Sequence, residues 1–363
     1  MRRAILAAGI LGLALAACDA PPVPQRDDSR AVVWTAGPPL PQPVTNNAVA
    51  AVEVDGAVAV FSFLGMDSTK VWSGVTNAAY RWDVGSPDGW QAIEPVPGPG
   101  RLASTAQVVR GRIYVLGGYT VGADGSERSV PDVNVYDPVS GAWSRGADIP
   151  VPVDDAVSGV WRDSLIVLVS GWRNDRAVAD VQWYDPVRDR WSSASPIPGT
   201  PVFGHAGAVV GDHIIYLDGA KAAEGEPRFA LDTAAWLGNV DPEDPALVEW
   251  TALPEHPMPG LYRAAGGSVG GLALFVGGTE NPYNYDGVGY DGVPAEPIRQ
   301  VLAYAPRAGT WRNLAAPPLP SMDHRTLGVA GGVVYVVGGM EEDRVVSSKV
   351  WLASVPTLLA SIW

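Results

Sequence analysis

Gly111-Arg-Ile-Tyr-Val-Leu-Gly-Gly118 opens the stretch that decides the fold, and Val133-Asn-Val-Tyr-Asp-Pro138 with a lone Trp143 shortly after closes it. Short apolar runs rich in β-branched and aromatic residues, separated by Gly, Pro, Asp and Ser, predict short antiparallel strands. The same order of signals recurs along the chain, so the protein is read as a set of repeats.

The tryptophan that ends each unit tests the period. The series Trp34, Trp90, Trp143, Trp191, Trp250 and Trp311 gives, by subtraction, intervals of 56, 53, 48, 59 and 61 residues. A period near 50 marks four-stranded propeller blades. The doublet that ends the second strand is Gly117-Gly118, Gly277-Gly278 and Gly338-Gly339, weakened to Ser170-Gly171 and Asp218-Gly219, with only Gly65 in the first unit. The third-strand aromatic is Tyr136, Tyr184 or Tyr304, and Trp82, Trp236 and Trp351 take roughly equivalent places in the other units.

These residues resemble the kelch superfamily from about Val32 to Ser354. The resemblance implies an all-β fold, a six-bladed kelch-type β-propeller. The last unit lacks a terminal Trp strand of its own, whereas Val32-Val33-Trp34 followed by Pro38-Pro39-Leu40-Pro41 matches Trp311 with Pro317-Pro318-Leu319-Pro320. An N-terminal strand is therefore expected to complete the last blade, which removes an open sheet edge.

Residues 1–17 read as a lipoprotein signal peptide: Arg2-Arg3, an apolar stretch from Ile5, then Leu15-Ala16-Ala17 before Cys18. Cys18 is the expected lipidation site, residues 18–30 a Pro-rich tether, and residues 31–363 the propeller. The protein is thus expected on the periplasmic face of a bacterial membrane, inner or outer, touching it only through the lipid on Cys18. Cys18 is also the sole cysteine, so burial rather than disulfides must hold the fold.

Formal net charge is −14, and Lys70, Lys221 and Lys349 are the only lysines. No basic stripe exists for a phosphate backbone, which excludes nucleic acid as a partner. The histidines His205, His213, His256 and His324 show no metal spacing, and neither a nucleophile elbow nor a phosphate-binding glycine loop is present. No metal and no cofactor are expected. Galactose oxidase shares the implied fold, but its copper site uses a cysteine-tyrosine crosslink, for which this propeller has no cysteine.

In propellers of the resembled family, function gathers where the loops between blades and those between second and third strands converge on the channel mouth. Just before the first strands stand Asn46-Asn47, Arg101, Asp154-Asp155, His205, Arg263 and His324-Arg325, a potential polar ring. Such groups either contact a ligand or satisfy backbone groups of neighbouring blades. The fifth unit carries a long loop, Thr279 to Gln300, with Glu280, Tyr283, Tyr285, Asp286, Tyr290 and Asp291. Ordered loops beyond about 12–15 residues are usually functional. Its aromatic faces beside carboxylates and amides suit a sugar; a bracing role and a calcium site through Asp286 and Asp291 are the alternatives.

The fourth-unit loop, with Lys221, Glu224, Glu226 and Arg228, resembles the one that carries a functional Glu and Arg in the bacterial sialic acid mutarotases of the kelch superfamily. Arg228 is the counterpart of the arginine. The glutamate has no clean match: Ala220 stands nearest its place, and Glu224 or Glu226 would have to substitute. The resemblance implies a sugar or sugar acid as ligand and mutarotase or epimerase chemistry, with Arg228, Glu224, Glu280, His205 and His324 as candidate catalytic groups. Arg101, Lys221, Arg263, Tyr283, Tyr285, Asp286, Tyr290 and Arg325 are the candidate ligand contacts. The alternative from another class is a non-catalytic scaffold that binds a second envelope protein through the same face.

Overall fold

In the computed structural model, residues 32–355 are described. The signal, the tether and Cys18 lie outside the described residues. Among those described, no helix is long and apolar enough to cross a membrane.

Six four-stranded antiparallel sheets follow one another along the chain and close into a ring. The second blade shows the unit: strands Thr105–Val109, Arg112–Leu116, Val133–Asp137 and Ala142–Arg145, in that order from the axis outward. The ring closes as the sequence indicates, because Val33–Ala36 pairs antiparallel with Val350–Ser354 as the outer strand of the sixth blade.

Apolar side chains from each sheet meet those of the next, giving six interblade layers among the described residues. Phe61 and Phe63 of the first blade, for example, pack on Tyr136 of the second with ring centroids 5.8 and 6.2 Å apart. Near the axis some neighbouring first strands approach closely enough to require glycine. A Cβ on Gly266 would stand 2.3 Å from the carbonyl oxygen of Gly207 in the neighbouring blade.

Each terminal tryptophan ties its blade to the preceding one. The indole N–H groups of Trp90, Trp143, Trp191, Trp250, Trp311 and Trp34 donate to the carbonyls of Pro38, Glu94, Ala147, Ser195, Pro254 and Ala315, at 2.7–3.3 Å. The last bond is the one that locks the N-terminal strand to the fifth blade.

The second-strand doublets do the same near the axis. The N–H of the second residue donates to the segment leading into the next blade: Gly65 to Arg101, Gly118 to Val153, Gly171 to Val202, Gly219 to Leu261, Gly278 to Ser321 and Gly339 to Val44. Both residues of the Gly117-Gly118 doublet have positive φ, and a Cβ on Gly118 would lie 2.5 Å from the Leu102 carbonyl, which explains the glycine. Leu64 takes the same left-handed conformation before Gly65, so the first blade keeps the turn without the first glycine.

One expectation is corrected by register. Tyr136, Tyr184 and Tyr304 face Trp143, Trp191 and Trp311 across the outer strand pair, as Trp82 faces Trp90. Trp236 and Trp351 do not take this place: Trp250 faces Gly238, and Trp34 faces Ala353, each two residues further along the third strand. The Trp250 ring leaves no room there, since a Cβ on Gly238 would meet it at 2.8 Å; Trp250 instead packs edge-on against Tyr216.

Candidate functional site

Before the first strand of each blade, one residue adopts a left-handed conformation: Asn46, Ala103, Asp155, Gly204, Arg263 and Asp323. These six form a hydrogen-bonded circuit around the channel mouth. Backbone N–H groups of Asp155, Gly204, Arg263 and His324 donate to the carbonyls of Ala103, Asp155, Gly204 and Arg263, and Asn46 donates to Asp323. The Ala103 N–H closes the circuit on the Asn46 side-chain oxygen at 2.5 Å.

Within this circuit two arginines and two aspartates plug the channel. Arg263 reaches Asp155 at 2.7 Å and Asp323 at 3.2 Å, and Arg325 reaches Asp155 at 2.5 Å and Asp323 at 3.7 Å. Thr45 donates to the other Asp323 oxygen, Oδ2, and the Asn46 amide to Oδ1, which the arginines share. Burial alone would push the Asp155 carboxyl upward, but the two guanidinium groups more than reverse it and hold it below the usual carboxylate range. Arg263 and Arg325 thus satisfy the acids between blades, and Arg263 also borders the cavity above them.

That cavity, of about 120 Å³, is lined by Tyr119, Glu127, Asp154, Asp155, Trp172, Asn174, Phe203, Arg228, Phe229, Arg263, Asn284 and Tyr290. Three short hairpins between second and third strands stand around it: Tyr119–Val121 with Glu127–Ser129, Trp172–Arg173 with Arg176–Ala177, and Ala220–Ala222 with Phe229–Leu231. The first two are fastened together by Asn174, whose side-chain oxygen accepts from the Ser129 N–H while its own N–H donates to the Ser129 hydroxyl.

The fifth-blade loop forms the remaining wall and is internally ordered. Asn284 N–H donates to the Val288 carbonyl, Gly289 N–H to Val293 and Tyr290 N–H to Pro282. Tyr285 packs across the mouth against Met66, Leu102 and Tyr119 of the first two blades. Tyr283 is buried under Tyr262 with centroids 5.3 Å apart, and Tyr290 meets Phe229 at 4.6 Å. Asp286 accepts from the Val288 N–H, and Asp291 from Asn281 and the Val293 N–H, so each carboxylate is used in shaping the loop. Among the described residues there is no group of three or more His, Cys, Asp or Glu able to hold a metal ion.

The electrostatics of the cavity turn on two carboxyl groups. Asp154 is buried and accepts from the Ser129 hydroxyl at 2.5 Å; its burial, then the negative charge of Asp155, push its pKa well above the usual range. Glu127 keeps solvent on its outer side, while the protein crowding its carboxyl raises its pKa against the pull of Arg263. Arg228 lays its guanidinium over the rings of Phe229 at 4.8 Å and Tyr290 at 5.1 Å. Burial raises the Tyr290 hydroxyl to about 12.

The sequence candidates divide accordingly. Arg228, Tyr290 and Arg263 come together at the cavity. Glu224 is exposed in the fourth-blade hairpin, Glu280 is exposed at the start of the fifth-blade loop, and Lys221 pairs with Asp232 at 2.9 Å. His205 and His324 are buried against the Val169 carbonyl and the Ser321 hydroxyl, and burial lowers each to about pH 4. Arg101 occupies the position held by Val44, Val153, Val202, Leu261 and Ser321 elsewhere; it points between blades and donates to Asn134 at 2.7 Å, with burial lowering its pKa to about 10. Glu127, Tyr119 and Trp172 were missed. A signal was available: each lies in a loop after a second-strand doublet, as Arg228 does.

The family described as Kelch motif matches residues 100–150, the second blade and its approach. Among solved structures, that of YjhT superposes with a TM-score of 0.69 at 17% identity, covering 86% of this chain and 95% of that one. At that identity the likeness concerns the fold alone. No curated protein matches the sequence.

Proposed function

The chain is a kelch-repeat β-propeller, and we propose that its mouth cavity binds a sugar acid and interconverts its anomers, on a propeller tethered by Cys18 to the periplasmic face of a bacterial membrane. The observation that carries the reading is the pairing, inside one aromatic-walled cavity, of a buried carboxyl, Asp154, whose pKa burial and the Asp155 charge raise, with a second, solvent-touched carboxyl, Glu127. Ring opening needs such a pair. One group takes the proton of the anomeric hydroxyl as the carbonyl forms, and the other delivers a proton to the ring oxygen as the C–O bond breaks. Reclosure on the opposite carbonyl face returns both protons. Here Glu127 is the acceptor and Asp154 the donor. Arg228 meets the substrate carboxylate, and Phe229, Tyr290 and Trp172 cover apolar sugar faces.

A thermal-shift series with neutral sugars and sugar acids, N-acetylneuraminate included, tests the reading. A ligand bound only by the folded state raises Tm. The expected result is a rise with acids that is lost in Arg228→Ala; no rise with any sugar at millimolar concentration rejects it.

One observation favours a second reading, a scaffold for another envelope protein. Val71, Trp72 and Val345 are 45%, 48% and 56% exposed on loops of the first and sixth blades, which Lys70 joins by donating to the Arg344 carbonyl. Exposed apolar groups gathered on one face are a mark of protein contact.

A further inference from the structure

Trp172, Asn174, Arg228 and Phe229 border the mouth cavity on one side and a second cavity on the other. The second is a groove of about 470 Å³ that runs outward between the hairpins of the third and fourth blades, over Thr200 and Pro201. Trp172 and Phe229, edge to face with centroids 5.3 Å apart, stand where the two cavities meet. The chemistry changes across that boundary. The mouth cavity is rich in charge, whereas the groove is walled mainly by apolar surface, with exposed Asn174, Asp175, Arg176 and Thr200 among its lining residues.

The mouth cavity alone, about 120 Å³, is smaller than the roughly 300–1,000 Å³ of ordinary small-molecule sites, and the groove brings the combined site into that range. Resting on the sugar-acid reading above, the geometry points to an elongated ligand: a reducing oligosaccharide whose reducing-end unit enters the carboxyl-lined cavity and whose next unit lies in the groove. Aromatic walls suit the apolar face of that second unit, and the exposed polar groups suit its hydroxyls. The orientation follows from the chemistry, since anomer exchange needs a free anomeric hydroxyl between Glu127 and Asp154. The glycosidic link must then leave from another hydroxyl, past Trp172 and Phe229. Reactions that cleave a polysaccharide chain, by hydrolysis or by elimination, supply such reducing ends.

Calorimetric titration of the full-length chain tests this with D-galacturonate, N-acetylneuraminate and the reducing dimer of each. The matching dimer is expected to bind about tenfold more tightly than its monomer, the scale of one good aromatic contact. Ala177→Trp and Thr200→Trp, which fill the groove without touching the carboxyl-lined cavity, should bring the dimer to the monomer's affinity and leave the monomer unchanged. Equal affinities for monomer and dimer in the unaltered chain, or a dimer advantage that survives both substitutions, overturn the groove assignment alone. Failure of monomer and dimer alike to bind overturns the sugar-acid reading and this inference with it.

Discussion

Arg263 donates to Asp155 at 2.7 Å across the channel mouth, with each side chain 3% exposed. The two residues lead into the fifth and third blades, so the bond passes over the fourth rather than joining neighbours. With Arg325 and Asp323 it makes a buried cluster of two positive and two negative charges. Removing one arginine leaves an uncompensated buried carboxylate. Arg263→Met should cost about 3–5 kcal/mol, read by urea unfolding. A loss below 1 kcal/mol would show that the cluster does not hold the blades together.

The indole ties at the rim are separable. Trp143→Phe and Trp311→Phe keep an aromatic ring and remove one hydrogen bond each, to Glu94 and Pro254. Each should cost about 1 kcal/mol, and because the second and fifth blades are not adjacent the double variant should lose the sum to within about 0.5 kcal/mol. Strong non-additivity in the unfolding midpoints would mean that the ties act as one ring.

Closure by the N-terminal strand has its own test. Deleting residues up to Ala36 uncovers the edge of Val350–Ser354 and leaves the Ala315 carbonyl without its indole donor. The truncated chain should melt lower and associate through the exposed edge, seen as concentration-dependent light scattering. An unchanged monomer would contradict the closure.

Acid stability separates the buried histidines from the buried acids. His205 and His324 are lowered to about 4 by burial, whereas an unfolded histidine titrates near 6.5. Their contribution is therefore full above about pH 6.5 and is lost as pH falls towards about 4, by up to about 1.4 kcal/mol per pH unit for each. Asp218, raised to about 6 by burial, acts in the opposite sense and gains on acidification. The unaltered protein shows only the net slope. His324→Gln should flatten the loss between pH 6.5 and 4 relative to it, and identical slopes would reject the assignment.

In the cavity, Asp154→Asn and Glu127→Gln should each slow anomer exchange about 10²–10⁴-fold with binding largely kept, followed by NMR exchange spectroscopy. Glu224→Gln and Glu280→Gln, at exposed positions, should leave the rate unchanged.

The chain alone determined the blade count, the closure and the order of strands, because these follow from local chemistry repeated six times. A tryptophan in each outer strand and a left-handed doublet that ends each second strand are visible wherever they stand. The long fifth-blade loop was legible for the same reason. Tertiary structure decided everything that depends on direction around the axis. Of the residues before each first strand, Asp154, Asp155, Arg263 and Arg325 turn to the mouth, whereas Arg101, two residues ahead of the left-handed Ala103, turns between blades and donates to Asn134. Whether a charge is free or spent is equally non-local: Arg325 is spent on acids from the third and sixth blades, whereas Arg228 lies over two rings at the cavity. Glu127 and Asp154, from the adjacent second and third blades, share a cavity because the Glu127–Ser129 strand folds over the segment that leads into the third blade, where the Ser129 hydroxyl donates to Asp154, and no spacing along the chain records that contact.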